Sequence, residues 1–295
     1  MKLNPRILSG ARILVTGSSG WLGSETLCYF SQFLDPLDLE NLVSLSSDGR
    51  TFEIHKRQIH SRTFSTLRNV DHFDVIIHLA FLLPNNQMTV DAPRYLELNS
   101  SITRRMDTIF KKNPDALKIV LSSGAVNLDL GNAKSDPTNL YAKSKLEMES
   151  ILQDDHTIIL RLWSTTGHHL PLTSNYAISE FIHRASLNQE ILIKNNVKRS
   201  YIDFQDILGS SLKYLIDSGR GIYNSGGEIT TVGNLANLVI SALKSTSKVQ
   251  LGNDSEGTSM DYVSPECEIP KKYLTSHLSL ESQVVNTVTS LVLSN

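Results

Sequence analysis

Five short runs in the first half of the chain are apolar at nearly every position: "RILVTG" (12–17), "NLVSL" (41–45), "DVIIHLA" (74–80), "KIVLSSG" (118–124) and "TIILRLW" (157–163). They lack the polar–apolar alternation of a half-exposed strand and have the composition of strands covered on both faces. Between them, residues 20–34, 93–113 and 139–153 carry apolar positions at helical spacing. Strands alternating with helices predict an α/β fold, a Rossmann-type doubly wound parallel sheet with right-handed crossovers. After about residue 164 the pattern loosens, with turn-rich "HHLPLTSNY" and "NSGGE" and helical spacing near 176–187, 204–217 and 231–244. The expected division is a dinucleotide-binding domain over 1–163 and a smaller α/β substrate-binding cap over 164–295, with some segments of the cap returning to the first sheet.

Composition narrows the classes. The 40% hydrophobic content supplies a substantial core, and 28 Lys plus Arg against 30 Asp plus Glu leave a formal charge of −2. No block of basic residues tracks a nucleic-acid backbone, so nucleic acid is not an expected partner. Cys28 and Cys267 form neither a disulfide framework nor a metal-ligand spacing, which fits a reducing compartment. Charges and Pro5 interrupt the apolar stretch a leader would need, and no run reaches the 18 or so apolar residues of a membrane span. A cytoplasmic protein without a membrane partner is expected.

"VTGSSGWLG" ends the first strand with Gly17, Gly20 and Gly23 three apart, where a helix should start. A tight turn, close approach of backbone to a pyrophosphate and close helix packing each call for a residue without Cβ, and the helix N-terminus offers free N–H groups to the phosphates. Gly17, Ser19, Gly20, Trp21, Leu22 and Gly23 are therefore candidate cofactor contacts. The choice between NAD and NADP lies at the end of the second strand, in "LVSLSSDGR". Ser46 or Ser47 at the strand end, with Arg50 near a 2′-phosphate, favours NADP. Asp48 accepting from the ribose 2′-hydroxyl would instead favour NAD.

"YAKSK" (141–145) places a tyrosine four residues before a lysine. Lys143 and Lys145 also precede Glu147 and Glu149 by four, the spacing of ordinary surface ion pairs. Other segments bear on the choice: "TGSSGWLG" (16–23), "HLA" (78–80), "LNSSIT" (98–103), "LSSGAV" (121–126), "ILRLWSTTG" (159–167), "RSYIDFQDI" (199–207) and "IYNSGG" (222–227). In this order, with "YAKSK", they resemble an extended short-chain dehydrogenase/reductase of the group that modifies nucleotide sugars. That resemblance implies Tyr141 as acid/base and Lys145 as the residue that holds it and binds the nicotinamide ribose. A free phenol titrates near 10, and a lysine charge one turn away would lower it toward neutrality. Ser123, matching the family's serine or threonine in its "SxxV" spacing to Val126, would hydrogen-bond the reacting oxygen, with neighbouring Ser122 as competitor. Leu79, Ala80 and Asn99 match cofactor-proximal positions, and His78 is expected to be structural.

Departures from the family narrow the reaction. Dehydratases of the group carry an Asp-Glu pair after the serine or threonine, and the decarboxylases a glutamate in the same segment, whereas this chain has Gly124 and Ala125. Without a proton-exchanging side chain there, elimination loses its acid and base. A ketoreductase acting on a 4-keto-6-deoxy nucleotide sugar with NADP remains, or an epimerase that retains NAD. A cofactor-sensing protein without turnover is a third reading. Ser164 stands where galactose epimerases have asparagine. By resemblance Arg199 grips a substrate diphosphate, for which its planar fork is suited, unless Asp203 or Asp206 neutralises it, and Tyr201 and Asn224 line the same pocket. His168 and His169 are adjacent, and in an extended segment their side chains would diverge, so no metal site is expected. The resemblance also implies a homodimer through the helices at 93–113 and 139–153.

Overall fold

A computed structural model describes residues 8–54, 57–67, 71–83, 91–128, 137–172, 174, 176–252, 260–274 and 278–293. The N-terminal stretch through Ile7, considered above for a leader, lies outside the described residues.

In the first half β1 (Ile13–Thr16), α1 (Trp21–Phe33), α2 (Pro36–Glu40) and β2 (Leu42–Leu45) are followed by β3 (Thr51–Ile54) and β4 (Arg57–Arg62). Then come β5 (Val75–His78), α3 (Ala92–Lys112), β6 (Leu117–Ser123), α4 (Pro137–Leu152) and β7 (Thr157–Leu162). The second half runs β8 (Ser164–Thr166), α5 (Ala177–Ser186), β9 (Ile191–Ile193), β10 (Lys198–Asp203), α6 (Phe204–Ile216), β11 (Gly221–Asn224) and β12 (Glu228–Thr231). It ends with α7 (Val232–Leu243), β13 (Val249–Leu251) and α8 (Leu280–Leu293).

Eight strands form the main sheet in the order β11-β7-β6-β5-β1-β2-β4-β3, parallel except for the β3–β4 edge pair. The apolar runs are continuous because consecutive residues bury on opposite faces. Ile13 and Val15 pack with Leu27, Phe30 and Ile207 toward α1 and α6, while Leu14 packs with Met106, Phe110 and Met148 toward α3 and α4. Each such fully buried side chain contributes about 1.5–3 kcal/mol. The order reverses at β1, with β2 on one side and β5 on the other, and the crevice beyond the carboxyl ends of these strands is where such sheets bind ligands.

β12, β10 and β8 make a second, three-stranded sheet, and α5, α7 and α8 pack around it through Phe181, Ile182, Leu235, Val239 and Val284. β11 leaves this half and pairs parallel with β7 at the edge of the main sheet. Side-chain caps close α3 (Asp91), α6 (Asp203) and α7 (Thr231), but α1 begins at Gly20 with no side-chain cap. Its first N–H groups are left for another acceptor. No helix among the described residues is long and apolar enough to cross a membrane.

Candidate active site

The glycine turn joins β1 to α1 at the sheet's reversal point, and its three glycines have three different surroundings. Gly17 adopts φ 76°, and a Cβ there would stand 2.6 Å from the Ala80 nitrogen, so the turn lies directly on the loop after β5. A Cβ on Gly23 would fall 2.2 Å from the Gly17 oxygen, which fixes the helix against the turn. At Gly20 an added Cβ would make only an ordinary 3.4 Å contact with the Gly17 carbonyl, so that position at the uncapped end of α1 has room for one. A cavity of about 590 Å³ opens here, lined by Gly17, Ser19, Gly20, Leu79 and Ala80, by Ser46, Ser47, Thr63 and Ser65, and by Phe81, Ile102 and Arg105. A pyrophosphate at the glycine turn and a nucleoside along the serine-rich wall fit this donor set. A second depression of about 770 Å³, lined by Arg12, Arg62 and Asp71 among others, shares Thr63 with it; Ser123, Tyr141 and Lys145 line neither, and Tyr141 and Lys145 adjoin the first through Phe81.

At the end of β2, Ser46 is buried, donates to Asp48 Oδ1 at 3.2 Å and accepts from the Gly49 N–H at 3.0 Å. Asp48 forms an exposed ion pair with Arg50 across a turn at Gly49 (φ 62°). That hydrogen-bonded pairing holds the Asp48 carboxyl below its ordinary range. Neither Asp48 nor Arg50 lines the cavity, so the two side chains weighed for cofactor choice neutralise each other outside it.

Ser123 ends β6, and Tyr141 and Lys145 lie one turn apart on α4, which packs on that strand. The structure brings the three together. The Ser123 hydroxyl stands beside the Tyr141 phenol and favours its ionised form against burial, while Ser122 faces elsewhere and donates to Glu149 Oε1 at 2.5 Å. Lys145 is 4% exposed, and its Nζ donates to the Leu121 carbonyl at 2.8 Å and sits 3.8 Å above the Phe81 ring. Burial lowers its pKa to about 7 against a smaller opposing effect of Glu149. Phe81 also meets the Tyr141 ring edge-on at 5.8 Å. The expected lowering of the Tyr141 pKa is not found: burial raises it, because the ammonium is spent on the Leu121 carbonyl and the Phe81 face. The surface pairing of Lys145 with Glu149 is absent too, since Glu149 is buried and held by Arg161 at 2.6 and 3.0 Å.

Asn99 is 2% exposed and clamps the loop after β5, accepting from the Leu82 N–H at 2.9 Å and donating to its carbonyl at 3.3 Å. Thr16 bonds His78 Nδ1 at 2.7 Å, and burial drives that imidazole down to about 3, so it stays neutral beneath the turn.

On the opposite wall, Arg199 forms no ion pair with Asp203, Asp206 or any other acid among the described residues, and its buried Nε has no hydrogen-bond partner. Asp203 instead caps α6. Tyr201 is 3% exposed in the cap core, opposite Ser164 in the β8–β10 register, and burial pushes its phenol up to about 12. Asn224 has its polar atoms engaged, with Oδ1 accepting from Asn127 at 2.8 Å and Trp163 Nε1 at 3.0 Å, and its amide donating to Glu268 at 3.2 Å. It braces the wall instead of presenting free groups to a ligand. His168 and His169 do not diverge as an extended segment would require. They sit in a turn, and their Nδ1 atoms lie 3.8 and 3.4 Å from Glu25.

Residues 13–226 match the profile of the NAD dependent epimerase/dehydratase family. The chain belongs to that family. No curated protein sequence matches it. Among solved structures it resembles the UDP-glucose 4-epimerase of Thermotoga maritima with UDP-glucose (TM-score 0.72, 17% identity, 96% of this chain and 99% of that one). It also resembles the UDP-N-acetylglucosamine 4-epimerase of Methanobrevibacter ruminantium M1 (0.74, 19%, 97% and 99%) and RMD of Pseudomonas aeruginosa with NADPH (0.72, 18%, 97% and 98%). These likenesses are of fold.

This epimerase/dehydratase family member carries site-facing residues that sequence reasoning missed. Tyr262 places its hydroxyl 3.4 Å from Ser123 Oγ, its ring 4.6 Å from that of Trp163, and the Arg199 guanidinium 5.7 Å from its centroid. Nothing in "SMDYVSP" marks it, because the contact spans 139 residues. Phe81 directly follows "HLA", and Glu149 shares the helical face of Lys145, so both were within reach of the spacing argument.

Proposed function

We propose that this protein is a cytoplasmic, NADPH-dependent ketoreductase that reduces a 4-keto (deoxy)sugar carried on a nucleoside diphosphate. The observation that carries this reading is at Gly124: a Cβ there would stand 2.2 Å from the Trp163 indole, so the position after Ser123 cannot hold the acid that elimination needs. A bound nicotinamide supplies the hydride. Tyr141, kept protonated by burial, donates its proton to the carbonyl oxygen, and the Ser123 hydroxyl donates a hydrogen bond to the same oxygen as charge builds on it. Lys145, poised near 7, holds the tyrosine end of the cofactor pocket, and the unpaired Arg199 receives the diphosphate.

NADPH is favoured over NADH by the wall at the end of β2, where Ser46, Ser47, Thr63, Ser65 and Arg105 line the cavity and Asp48 is occupied by Arg50. The alternative is an epimerase that retains NAD, which the same Ser–Tyr–Lys set would serve and which two of the structural relatives above represent by name. The test is the identity of cofactor released from purified protein, followed by titration with NADPH and NADH. An empty site that prefers NADPH, with the preference reduced in Arg105→Ala, supports the reductase; tightly held NAD overturns it. We further propose a homodimer through α3 and α4, and Leu146 and Ile151 of α4 are exposed.

A further inference from the structure

Glu25 lies two residues beyond Gly23 on α1, and its side chain is fully buried. Its carboxylate reaches out of the cofactor-binding half into the cap. Oε1 accepts the His169 N–H at 2.6 Å and the Trp21 indole N–H at 3.4 Å, and Oε2 accepts the Gln205 amide at 2.8 Å. His169 Nδ1 stands 3.4 Å from Oε1, and His168 Nδ1 stands 3.8 Å from Oε2, an ion-pair distance beyond a good hydrogen bond. The turn closes on the carboxylate only because residue 167 is glycine, since a Cβ there would lie 2.5 Å from Oε1. From behind, the Gly167 N–H donates to Thr287 at 3.3 Å and Ser290 donates to the His168 carbonyl at 2.9 Å, so α8 backs the same turn.

A carboxylate taken out of water costs several kcal/mol unless charges and donors meet it, and an apolar contact of the same shape would hold the halves together at least as well. What the polar cluster adds is register: only one position of the turn brings the His169 N–H onto Oε1 while Gln205 holds Oε2. Trp21 extends the linkage, because it belongs to the glycine turn itself and its ring meets Tyr176, next to α5, at 5.2 Å. β8, which carries Ser164 and pairs with Tyr201, runs directly into the clasped turn.

We propose that Glu25 is a positioning residue: its carboxylate, gripped by the turn at residues 167–169 and by Gln205, sets the cap against the phosphate-binding end of α1, and this clasp loosens as His168 loses its proton. The coupling stands on this geometry and does not depend on which carbonyl is reduced. Glu25 itself stays ionised, because burial, which alone would push its carboxyl up, is overcome by the two histidines, which hold it well below the carboxylate range. The ion pair with Glu25 raises the His168 value above 6.5. A raised histidine contributes fully below its ordinary value and loses its contribution as pH rises through the raised one, so the clasp is tightest below about pH 6.5. Asp203, raised to about 6 by burial and by Asp206, and Cys28 also face the cluster. Asp203 ionises as pH rises, adding a second negative charge beside Glu25.

The test is hydrogen exchange of the full chain at pH 6 and pH 8, corrected for intrinsic rates, with and without NADPH, in wild type, Glu25→Gln and His168→Gln. Wild type is expected to protect the 167–170 amides more at pH 6 than at pH 8, and NADPH to add protection there. Glu25→Gln should exchange about tenfold faster at this turn at pH 6 with the pH difference gone, and His168→Gln should lose the pH difference alone. A turn that exchanges in Glu25→Gln as in wild type, or no faster than the rest of a uniformly destabilised chain, overturns the proposal. Should Glu25→Gln not fold, the half-exposed His168 decides: wild-type pH dependence in His168→Gln is equally fatal. Loss of nucleotide binding with the pH effect intact would count against the functional reading and leave the clasp standing.

Discussion

Burial acts on both Tyr141 and Lys145, raising the phenol and lowering the ammonium, and this has consequences for rate and for stability. Burial keeps the Tyr141 phenol protonated but makes it a weaker acid, so its proton passes only to a carbonyl oxygen on which charge is already building. Tyr141→Phe should therefore lower kcat by about 10²–10⁴-fold while leaving the NADPH Kd within about threefold, measured by steady-state kinetics and fluorescence titration. For Lys145 the sign is opposite to that of a paired lysine. Its folded value of about 7 lies below the ordinary 10.5, so between these limits the unfolded chain binds a proton that the folded chain does not. Stability from this group rises with pH over that window. Lys145→Met should abolish turnover yet raise Tm at pH 7, by about 2–4 °C for each kcal/mol of desolvation relieved, and a Tm below wild type would contradict it. Spacing in the sequence placed the two side chains on one helical face. Their depth was not legible, because it comes from Leu121 on β6 and Phe81 in the loop after β5, far from them in the chain.

At the scale of elements, the glycine turn yields a pair of substitutions with opposite signatures. Gly23→Ala drives a Cβ into the Gly17 carbonyl and should lower both Tm and nucleotide affinity. Gly20→Ala has room in the free protein and should leave Tm within about 1–2 °C while weakening NADPH binding at least about tenfold, since the new methyl stands where phosphate must approach. Equal loss of Tm in both variants would refute this. The turn and its flanking strand and helix were legible because buried parallel strands print continuous apolar runs. The β3–β4 pair was missed for the converse reason: at a sheet edge "TFEI" and "RQIHSR" bury only alternate residues and carry charge on the rest. The same holds for the three- to six-residue strands of the cap, too short to establish a period, and for His168 and His169, whose convergence depends on a turn made possible by Gly167.

For the molecule as a whole, the proposed homodimer leaves Leu146 and Ile151 on α4 as its anchors, and Leu146→Glu should shift the mass by light scattering at micromolar concentration from dimer to monomer. A wild-type monomer would remove that element of the proposal. The change of texture near residue 164 coincides with the start of β8 and the second sheet, but the contacts that knit the two halves, Tyr262 with Ser123 and Asn224 with Trp163, span the chain and leave no local mark. Trp163 has a further importance in this light. Its indole fills the space behind Gly124, bonds Asn224 and packs at a tilt against Tyr262, so one ring is shared by the floor of the site and both of its walls. A redesign that grafts an acid after Ser123 must first shrink that ring, and shrinking it unseats residues contributed by the other half. In evolutionary terms, a change of reaction type from this starting point lies several coordinated substitutions away, whereas a change of substrate, made on the cap side of Tyr262, can proceed one residue at a time.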